Sequence, residues 1–357
     1  MRLEAAGIEP AAESGLNRPV DAIESPQRYA DHALDSVPKG PAVKKVVSVS
    51  LGSASRDHRA EVELLGERFD ISRVGTDGSI DKAIAKLKEL DGTVDAIGLG
   101  GIDVYLYAGN DRYALRDGLR LLDAVKKTPV VDGSGLKNTL ERNAVAFMQR
   151  ALGIELRGKR VLMVSALDRF GMAQALVQAG ADVVFGDFIF ALDLDRPVRG
   201  LDEFEEMARK YLPDACKLPF QFFYPTGKKQ DRPPQPKYPE YYEDAEIVAG
   251  DYHFMRQFMP DRLDGKTILT NTVTASDVDF LRERGIARLV TTTPDFGGRS
   301  FGTNVVEAAM LALLGKRWSE VTEDDYRTLL AQLDLKPRVI EFQVDSRSSL
   351  RSGPQAI

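Results

Sequence analysis

The chain has 357 residues, of which 43% are hydrophobic and 29% are charged, and its formal net charge is −6. This balance is typical of a globular protein with room for two domains of ordinary size. It gives no electrostatic reason to expect nucleic acid as a partner. No apolar run reaches the roughly 18 to 20 residues that a membrane span requires, so we expect no membrane partner either.

Cysteine and histidine usage narrows the class further. The single cysteine, Cys216, excludes an internal disulfide framework and a thiolate metal cluster. The three histidines are too few and too scattered for a zinc site, so no metal is expected. Because no secretory signal is recognisable, the sequence predicts a cytoplasmic protein. The expected partner is a small-molecule substrate. A homo-oligomer stays open, since an exposed apolar face cannot be told from a core face in the sequence.

The two ends of the chain differ from the rest. Residues 1–43 contain five prolines and no sustained hydrophobic period, which predicts a disordered leader. Its opening, RLEAAGIEPAAESGL, resembles a translation across the antisense strand of a tRNA gene, so a mis-called start is one interpretation. Residues 321–357 are expected to form a C-terminal helix, a strand and a frayed tail.

Strand-like and helix-like segments alternate over residues 44–135, which predicts an N-terminal α/β substrate domain with a mostly parallel sheet. The predicted strands are KKVVSVSLG, RFDISRVGT, VDAIGLGGID and TPVVDG. The predicted helices are DHRAEVELLG, IDKAIAKLKEL and YALRDGLRLLDAVKK. A long amphipathic stretch over residues 136–153 predicts a helix that connects this domain to the next one.

Residues 154–320 repeat the alternation, and this predicts a doubly wound, Rossmann-like dinucleotide-binding domain. The predicted strands are RVLMV, DVVFGD, EIVAGD, TILTNT and RLVTTTP, with KLPFQFF as a candidate sixth. The predicted helices are FGMAQALVQAG, DEFEEMARKY, YHFMRQFM, SDVDFLRERG and TNVVEAAMLALLG. The insertion over residues 224–242 is rich in Pro, Lys and Tyr, and loops of that length are usually functional or mobile.

The first turn of this second domain lies within GKRVLMVSALDRFGMAQALVQAGADVVFGD. Ser165 and Ala166 occupy the place of the phosphate-binding turn, Gly171 opens the helix, and Asp187 ends the next strand where an acid would hold a ribose. These four residues predict an NAD site, with NADP disfavoured by the acid. Asp168 competes with a phosphate at the helix N-terminus, so the alternative is a turn that binds no nucleotide and has Asp168 as a helix cap.

A second glycine-rich turn, TTTPDFGGRSFGTN, also leads from a strand into a helix. Its free backbone N–H groups favour an anion site, with Thr291 and Gly298 as cofactor contacts. Arg299 is the candidate for holding a substrate carboxylate or the cofactor phosphates. The alternative is a structural loop with glycine-dependent turns.

Acid–base chemistry is predicted at the junction of the two domains, in VVDGSGLKN. Asp132 ends a strand and Lys137 follows one helical turn later, and such a pair in a cleft can move the proton of a hydroxyl. The alternative is a strand-to-helix turn capped by Asp132 or Ser134. Gly101 and Asn110, in LGGIDVYLYAGNDR, are predicted to line the same cleft as substrate contacts. His253 follows another strand and is either a general base or a structural histidine.

The order of these motifs resembles that of the shikimate/quinate dehydrogenase family over about residues 44–320. Asp132-Gly133-Ser134-Gly135 is similar to the D-G-x-G of the family's N-T-D-G-x-G motif, in which the Asp is catalytic. GKRVLMV resembles the strand that leads to the family's dinucleotide loop, and GTNVVEAA resembles its closing helix. Glu307 stands where that helix carries a substrate-contacting Gln. The family's lysine motif N-V-T-x-P-x-K is absent, and LGGIDVYLYAGN takes its place.

The whole chain also looks like a divergent group named quinate 5-dehydrogenase. The resemblance implies an NAD(P)-dependent dehydrogenase that acts on CH–OH and oxidises a ring hydroxyl of a small polyhydroxy carboxylate, with NAD as the expected cofactor. Two alternatives stay open. One is a non-catalytic ligand-binding or regulatory protein that keeps the two-domain cleft, and the other is an enzyme of different chemistry that uses the insertion as a lid.

Overall fold

The computed structural model describes residues 43–109, 111–193, 195–220, 233–293, 302–316 and 320–343. The predicted leader therefore lies outside the described residues except for Val43, and so does the C-terminal end beyond Gln343. The described chain forms two domains, each built around a largely parallel β-sheet. None of the described helices is long and apolar enough to cross a membrane.

The strands and helices are numbered in chain order. The strands are β1 Lys44–Ser50, β2 Arg59–Leu64, β3 Glu67–Gly75, β4 Ala96–Gly100, β5 Tyr105–Ala108, β6 Asp111–Ala114, β7 Val130–Val131, β8 Arg160–Met163, β9 Asp182–Phe185, β10 Ile247–Gly250, β11 Thr267–Thr270, β12 Arg288–Thr291 and β13 Arg338–Glu341. The helices are α1 Ile80–Leu90, α2 Arg116–Leu122, α3 Ser134–Arg150, α4 Phe170–Gln178, α5 Asp187–Leu192, α6 Leu201–Ala215, α7 Pro239–Asp244, α8 Tyr252–Phe258, α9 Ala275–Glu283, α10 Thr303–Leu314 and α11 Glu323–Gln332.

The first sheet has the strand order β2-β3-β1-β4-β7. All of its neighbouring pairs are parallel except β2 with β3, which form an antiparallel hairpin. The prediction of a helix for DHRAEVELLG is therefore wrong, because residues 59–64 of this segment form β2. Ala60, Val62 and Leu64 alternate toward the core with period two, and Leu65 and Gly66 both have positive φ in the hairpin turn.

The second sheet has the order β13-β12-β11-β10-β8-β9, with β13 as its antiparallel member. Alternate residues of β8 face opposite clusters: Val161 and Met163 belong to one apolar cluster, and Leu162 belongs to the other. Apolar helices cover both faces, so the predicted fold class is confirmed: an N-terminal α/β domain is followed by a doubly wound, Rossmann-like domain. The sixth strand is β13, whereas residues 217–220 of the candidate KLPFQFF are not a strand and the rest lies outside the described residues.

The chain crosses between the domains more often than the sequence predicts. Helix α10, predicted to close the second domain, packs instead on β1 and β4 of the first sheet. A Cβ added at Gly98 would come within 2.7 Å of the Asn304 carbonyl oxygen, which shows how closely the helix approaches β4. The chain then returns, because β13 joins the second sheet. The predicted domain boundary at residue 320 thus differs from the packing, in which α10 and α11 cover the first domain.

The carboxyl ends of the parallel strands of both sheets open onto one cleft between the domains. In the second sheet, the chain order reverses between β8 and β10, and residues after both strands line this cleft. Open α/β sheets bind ligands at such a switch point. The fold therefore places the candidate site where the two sheet edges meet.

Candidate functional site

The interdomain cleft has a volume of about 920 Å³. Volumes of this size accommodate small ligands and cofactors. The first domain contributes, among others, Ser50, Arg73, Gly101, Asp103, Asp132 and Lys137. The second domain contributes, among others, Asp168, Arg169, Asp251, His253, Asn271 and Thr274. The lining thus offers many charged and hydroxyl groups that can contact a polar ligand.

A buried ion pair lies on the wall of the first domain. The Lys137 Nζ atom is 2.7 Å from the Asp103 Oδ1 atom, and both side chains are almost fully buried. Lys137 extends from the first turn of α3, and Asp103 follows β4, so the two residues come from neighbouring strand ends. Sequence reasoning predicted Lys137 as an acid–base group with Asp132, but the carboxylate that contacts it is Asp103.

The charges around Lys137 keep it protonated. Burial opposes its charged form, but the nearby carboxylates, Asp103 first among them, outweigh burial and raise the pKa of Lys137 above its ordinary value. Burial raises the pKa of Asp103, and the charge of Lys137 opposes that shift. The pair therefore holds an ammonium next to a carboxylate that is readily protonated, which is a donor–acceptor arrangement suited to proton transfer.

Asp132 is held by backbone amides at the start of α3. Its Oδ2 atom accepts a hydrogen bond from the Val104 N–H at 2.8 Å, and its Oδ1 atom accepts one from the Ser134 N–H at 2.9 Å. The bond from the Ser134 N–H fixes the strand-to-helix turn, but the N-cap residue of α3 is Gly133 and not Asp132. Asp132 nevertheless lines the cleft, and its charge adds to the field on Asp103. Its predicted catalytic role stays a prediction, while its visible role is to position the turn that carries Lys137.

A second buried charge cluster lies on the wall of the second domain. The guanidinium of Arg169 contacts Glu141 Oε1 at 2.9 Å and Asp251 Oδ2 at 3.3 Å. Its Nε atom is 3.6 Å from Asp168 Oδ2. Three carboxylates surround this guanidinium and raise its pKa, so Arg169 stays charged although burial opposes it. The cluster joins α3, the turn after β8 and the turn after β10.

The turn after β8, where the sequence predicts a cofactor, is occupied by the chain's own carboxylate. Asp187 accepts hydrogen bonds from the N–H groups of Ala166, at 2.9 and 3.0 Å, and of Leu167, at 3.0 Å. Burial raises the pKa of Asp187 to about 7 in spite of these amides. In this arrangement Asp187 stabilises the turn and does not present its carboxylate for a ribose.

Two further residues of the predicted cofactor turn have structural contacts. The Ser165 hydroxyl oxygen accepts a hydrogen bond from the Asp251 N–H at 3.0 Å, which links the ends of β8 and β10. A Cβ added at Gly171 would lie 3.1 Å from the Cα of Asn138. Gly171 is therefore needed for the close approach of α4 to α3.

The fit of a dinucleotide at this turn can be judged from the same contacts. The amides of Ala166 and Leu167 are used by Asp187, and the Met172 N–H, in the first turn of α4, donates to Glu141 Oε2 at 3.2 Å. The backbone N–H of Tyr107, in the hairpin formed by β5 and β6, donates to the Leu167 carbonyl at 3.0 Å and so covers the turn. A pyrophosphate needs free amides at this position, so the residues present do not fit it in this conformation.

A further group of lining residues, called the basic end of the cleft, contains Arg56 and Arg73. The Arg73 side chain donates to Ser50 Oγ at 3.0 Å and to Asp57 Oδ1 at 2.8 Å. Arg56 Nη1 is 2.7 Å from His253 Nε2, a contact that spans the two domains. Because a guanidinium only donates, His253 accepts through Nε2 and is neutral, consistent with burial and Arg56 lowering its pKa.

The N-terminus of α10 lies at the same cleft, since Gly302, Thr303 and Asn304 line it. Helix N-termini carry a partial positive charge. Together with the arginines, this end of the cleft favours an anionic group of a ligand, such as a carboxylate.

The remaining predicted site residues are placed as follows. Gly101 lines the cleft with a positive φ of 67°, and a Cβ there would lie 3.0 Å from the Gly52 nitrogen. Thr291 is buried at the end of β12, where its hydroxyl donates to the Thr293 carbonyl at 2.9 Å. Glu307 accepts from the Tyr326 hydroxyl at 2.6 Å and is not among the described residues that line the cleft. Three predicted residues lie outside the described residues: Asn110, Gly298 and Arg299.

Two partners in the charge clusters escaped sequence reasoning. Glu141 reaches Arg169 from the middle of α3, at a separation of 28 residues that no local motif encodes. Arg169 itself lies beside Asp168 in SALDRFG, a stretch that lacks the first two glycines of a dinucleotide-binding turn. Charged residues within otherwise apolar stretches are a sequence signal for such clusters, because a charged side chain that is buried must be paired.

The chain belongs to the family described as "Domain of unknown function (DUF8754)", which matches residues 135–342. Residues 45–132 match a second family, described as "Domain of unknown function (DUF8753)". The junction between the two matches falls at the turn that carries Asp132. No curated protein is significantly similar to the chain.

Several solved structures are distantly similar. A hetero-hexameric glutamate dehydrogenase from Thermus thermophilus is 14% identical, with 82% of this chain and 74% of that chain covered and a TM-score of 0.37. An NAD-dependent malic enzyme from Thermotoga maritima is 15% identical, with 81% and 84% covered and a TM-score of 0.34. The Entamoeba histolytica malic enzyme is 13% identical, with 81% and 62% covered and a TM-score of 0.37. Similarity at this level carries no conclusion about the chemistry of this chain.

Proposed function

We propose that this protein is an enzyme that binds a small polyhydroxy carboxylate in the interdomain cleft and moves the proton of one ligand hydroxyl through Lys137 and Asp103. The observation that carries this proposal is the 2.7 Å ion pair between these two residues on the cleft wall. Buried ion pairs are weak sources of stability, since desolvation offsets most of their attraction. A pair kept in a ligand-sized cleft is more readily explained by acid–base work.

The chemistry of the pair follows from its charges. A ligand hydroxyl that approaches Lys137 can lose its proton as Asp103 accepts it, while the ammonium stabilises the oxygen that becomes negative. In the reverse direction, protonated Asp103 returns this proton to the ligand oxygen, while the Lys137 ammonium stabilises that oxygen as long as it is negative. Burial raises the pKa of Asp103, so at a given pH this carboxylate accepts a proton more readily than an exposed carboxylate does.

The basic end of the cleft supplies the substrate class. Arg56 and Arg73 are paired with Asp277 and Asp57, and together with the N-terminus of α10 they offer donors that suit a carboxylate. The hydroxyl groups of Ser50, Thr272 and Thr274 and the amide of Asn271 also line the cleft and suit a polyhydroxy ring. The resemblance to shikimate and quinate dehydrogenases agrees with this ligand class, and quinate and shikimate are therefore the first ligands to test.

The same resemblance supports NAD(P)-linked oxidation of the ring hydroxyl, in which the nicotinamide would supply the hydride acceptor. The turn after β8 does not fit the pyrophosphate in this conformation, so no step is derived through the cofactor here. The proton transfer at Lys137 and Asp103 does not depend on where a cofactor would bind.

A second candidate is a non-catalytic ligand-binding or regulatory protein. It is favoured by the hydrogen bonds of Asp187 to Ala166 and Leu167, which use the amides that a dinucleotide enzyme of this fold would leave for phosphate. The cleft and its basic end would then serve ligand binding alone.

Thermal unfolding in the presence of millimolar quinate, shikimate, NAD or NADP distinguishes these candidates, because a bound ligand raises apparent stability. Enzymatic function predicts stabilisation by quinate or shikimate, and turnover with NAD or NADP that is lost in Lys137→Met and Asp103→Asn. Stabilisation without turnover supports the binding protein. If neither hydroxy acid stabilises the wild type, the proposed substrate class is wrong.

A further inference from the structure

Asp168 differs from the other buried carboxylates of the site. Its side chain is only 3% exposed, yet its Oδ1 atom has no hydrogen-bond partner among the described residues. Asp132 and Asp187 each receive backbone amides, and Glu141 receives the Met172 N–H. A buried polar atom without a partner costs free energy, so such atoms are rare and usually have a functional explanation.

Asp168 also lines the cleft, at the switch point of the second sheet. It does not cap α4, although the sequence offered that as an alternative, because the N-cap residue is Arg169 and the first-turn Met172 N–H donates to Glu141. Within the described part of the chain, its one ion-pair contact is with its neighbour Arg169, at 3.6 Å through Oδ2. The Asp168 carboxyl group thus lies at the cleft wall with one oxygen that has no hydrogen-bond partner among the described residues.

We infer that Asp168 is the residue through which the second domain contacts the ligand, and that its carboxyl group donates a proton in a hydrogen bond to a ligand oxygen. Lys137 and Asp103 contact the same ligand from the first domain. The identity of the ligand rests on the proposed function. Asp168 thus provides a second polar contact from the facing domain, so that a bound ligand contacts both walls of the cleft.

The charge balance around Asp168 agrees with a protonated carboxyl group. Burial raises the pKa of Asp168 to about 8, with Asp103 and Asp251 adding to the shift, while Arg169 and Lys137 oppose it. Lys137 is paired with Asp103, and Arg169 is paired with Glu141 and Asp251. A negative charge on Asp168 would therefore share a cation that already has a carboxylate partner. At neutral pH Asp168 is therefore a hydrogen-bond donor.

This inference makes binding depend on pH in a defined direction. Above pH 8, ionised Asp168 loses its donor proton and repels a ligand carboxylate or carbonyl oxygen. Lys137 keeps its charge in this range because its pKa is raised, and His253 stays neutral because its pKa is lowered. Affinity should therefore fall about tenfold for each pH unit above the pKa of Asp168.

Calorimetric titration of quinate and of shikimate between pH 6.5 and pH 9 tests this on three variants. The wild type should bind about tenfold more weakly at pH 9 than at pH 7. Asp168→Asn keeps an N–H donor and should bind with a flat pH profile, whereas Asp168→Leu should lose about tenfold or more at pH 6.5. Asp117→Asn is the matched control, since Asp117 is a buried carboxylate outside the cleft lining that accepts from the Phe220 N–H at 3.0 Å.

Equal affinity of Asp168→Leu and the wild type would overturn the inference, as would an identical pH profile in Asp168→Asn. Should neither hydroxy acid bind the wild type, the proposed function fails, and the carboxyl ¹³C shifts of aspartate-labelled protein then test Asp168 alone. A resonance that titrates near pH 8 and disappears in Asp168→Asn supports the proton-donor state. Its absence overturns the inference without reference to any ligand.

Discussion

The turns that follow β4 and β7 and the turn that follows β8 meet the same cleft, but they use their polar groups differently. In the first domain, Asp103 and Lys137 turn charged side chains toward the cleft, and backbone amides hold only the supporting Asp132. In the second domain, the amides of the turn are satisfied by Asp187 and Glu141. The edge at which a doubly wound fold usually binds phosphate is here closed by the chain's own carboxylates.

The comparison separates two functions that such folds often combine. The first domain retains an acid–base pair, so its edge is equipped for chemistry on a hydroxyl. The second domain contributes Asp168 and the basic residue Arg169 to a charge cluster, and its turn has no amide among Ala166, Leu167 and Met172 left for an anion. Fold alone therefore does not assign the cofactor, because the contacts of individual residues decide it.

The largest effect is expected for Lys137→Met, which removes the cation of the first-domain pair. The Asp103 carboxylate would remain buried without its partner, and breaking one side of a buried ion pair costs about 3–5 kcal/mol. Urea unfolding followed by circular dichroism measures this change in the free energy of unfolding.

The double variant Lys137→Met with Asp103→Leu provides the control for that prediction. It removes both charges and should be less destabilised than Lys137→Met alone. A loss below about 1 kcal/mol in the single variant would mean that the pair is not buried as described.

Asp187→Ala tests the second-domain side of the comparison. Removal of this carboxylate leaves the Ala166 and Leu167 amides without their acceptor, which costs about 1–3 kcal/mol for each buried donor. If the Asp187 carboxylate did not accept these bonds and were free to bind a ribose, its removal would not lower the free energy of unfolding in this way. Asp182→Ala, at the exposed start of β9, should change stability by no more than about 0.5 kcal/mol.

The pH dependence of stability should report Asp168. Its pKa is about 8 in the folded protein and about 3.9 in an unfolded chain. Between these values the folded protein holds one more proton, so this stabilising contribution is complete below pH 4 and is lost as pH rises through 8.

Asp168→Asn removes this titration. Relative to the wild type, its free energy of unfolding should gain about 1 kcal/mol between pH 6.5 and pH 7.5. Asp187 also has a raised pKa but is present in both proteins, so its contribution cancels. Parallel pH profiles for the two proteins would show that Asp168 is ionised in the folded state.

The smallest effect is expected for Arg56→Ala, which removes the hydrogen bond to His253 across the cleft. A partly exposed side-chain hydrogen bond contributes about 0.5–1.5 kcal/mol. Hydrogen exchange at α8 should increase more than exchange at β1, because the bond joins the domains without supporting either sheet. Uniform exchange in the two elements would argue against a role for Arg56 between the domains.

Much of the fold could be predicted because periodicity is a local property. The buried strands β1, β4, β8 and β10 are short apolar runs bounded by turn residues, and each was expected near its observed position. Segment DHRAEVELLG was misassigned because residues 59–64 have helix-forming residue types, whereas the hairpin partner β3 decides the strand. The return of α10 to the first sheet depends on contacts across more than 200 residues, as between Asn304 and Ser48, which no local pattern contains.

The candidate site shows the same limit. Lys137 was expected from its place after a strand at the domain junction, and Gly101 from its place at a strand end. The partner of Lys137 is Asp103 and not Asp132, because the choice depends on which carboxylate the backbone amides already hold. Asp187 keeps the sequence position of a ribose-binding acid, but its hydrogen bonds and its burial place it in the turn, and spacing alone does not encode either.

Titration calorimetry of quinate with the wild type and with Lys137→Met tests the central claim most directly. We expect the wild type to bind quinate in the cleft and Lys137→Met to bind it at least about tenfold more weakly, which corresponds to about 1.4 kcal/mol. Circular dichroism would establish that the variant is folded under the titration conditions. Equal affinity of the two folded proteins for quinate would contradict the claim that Lys137 and Asp103 form the ligand-contacting pair.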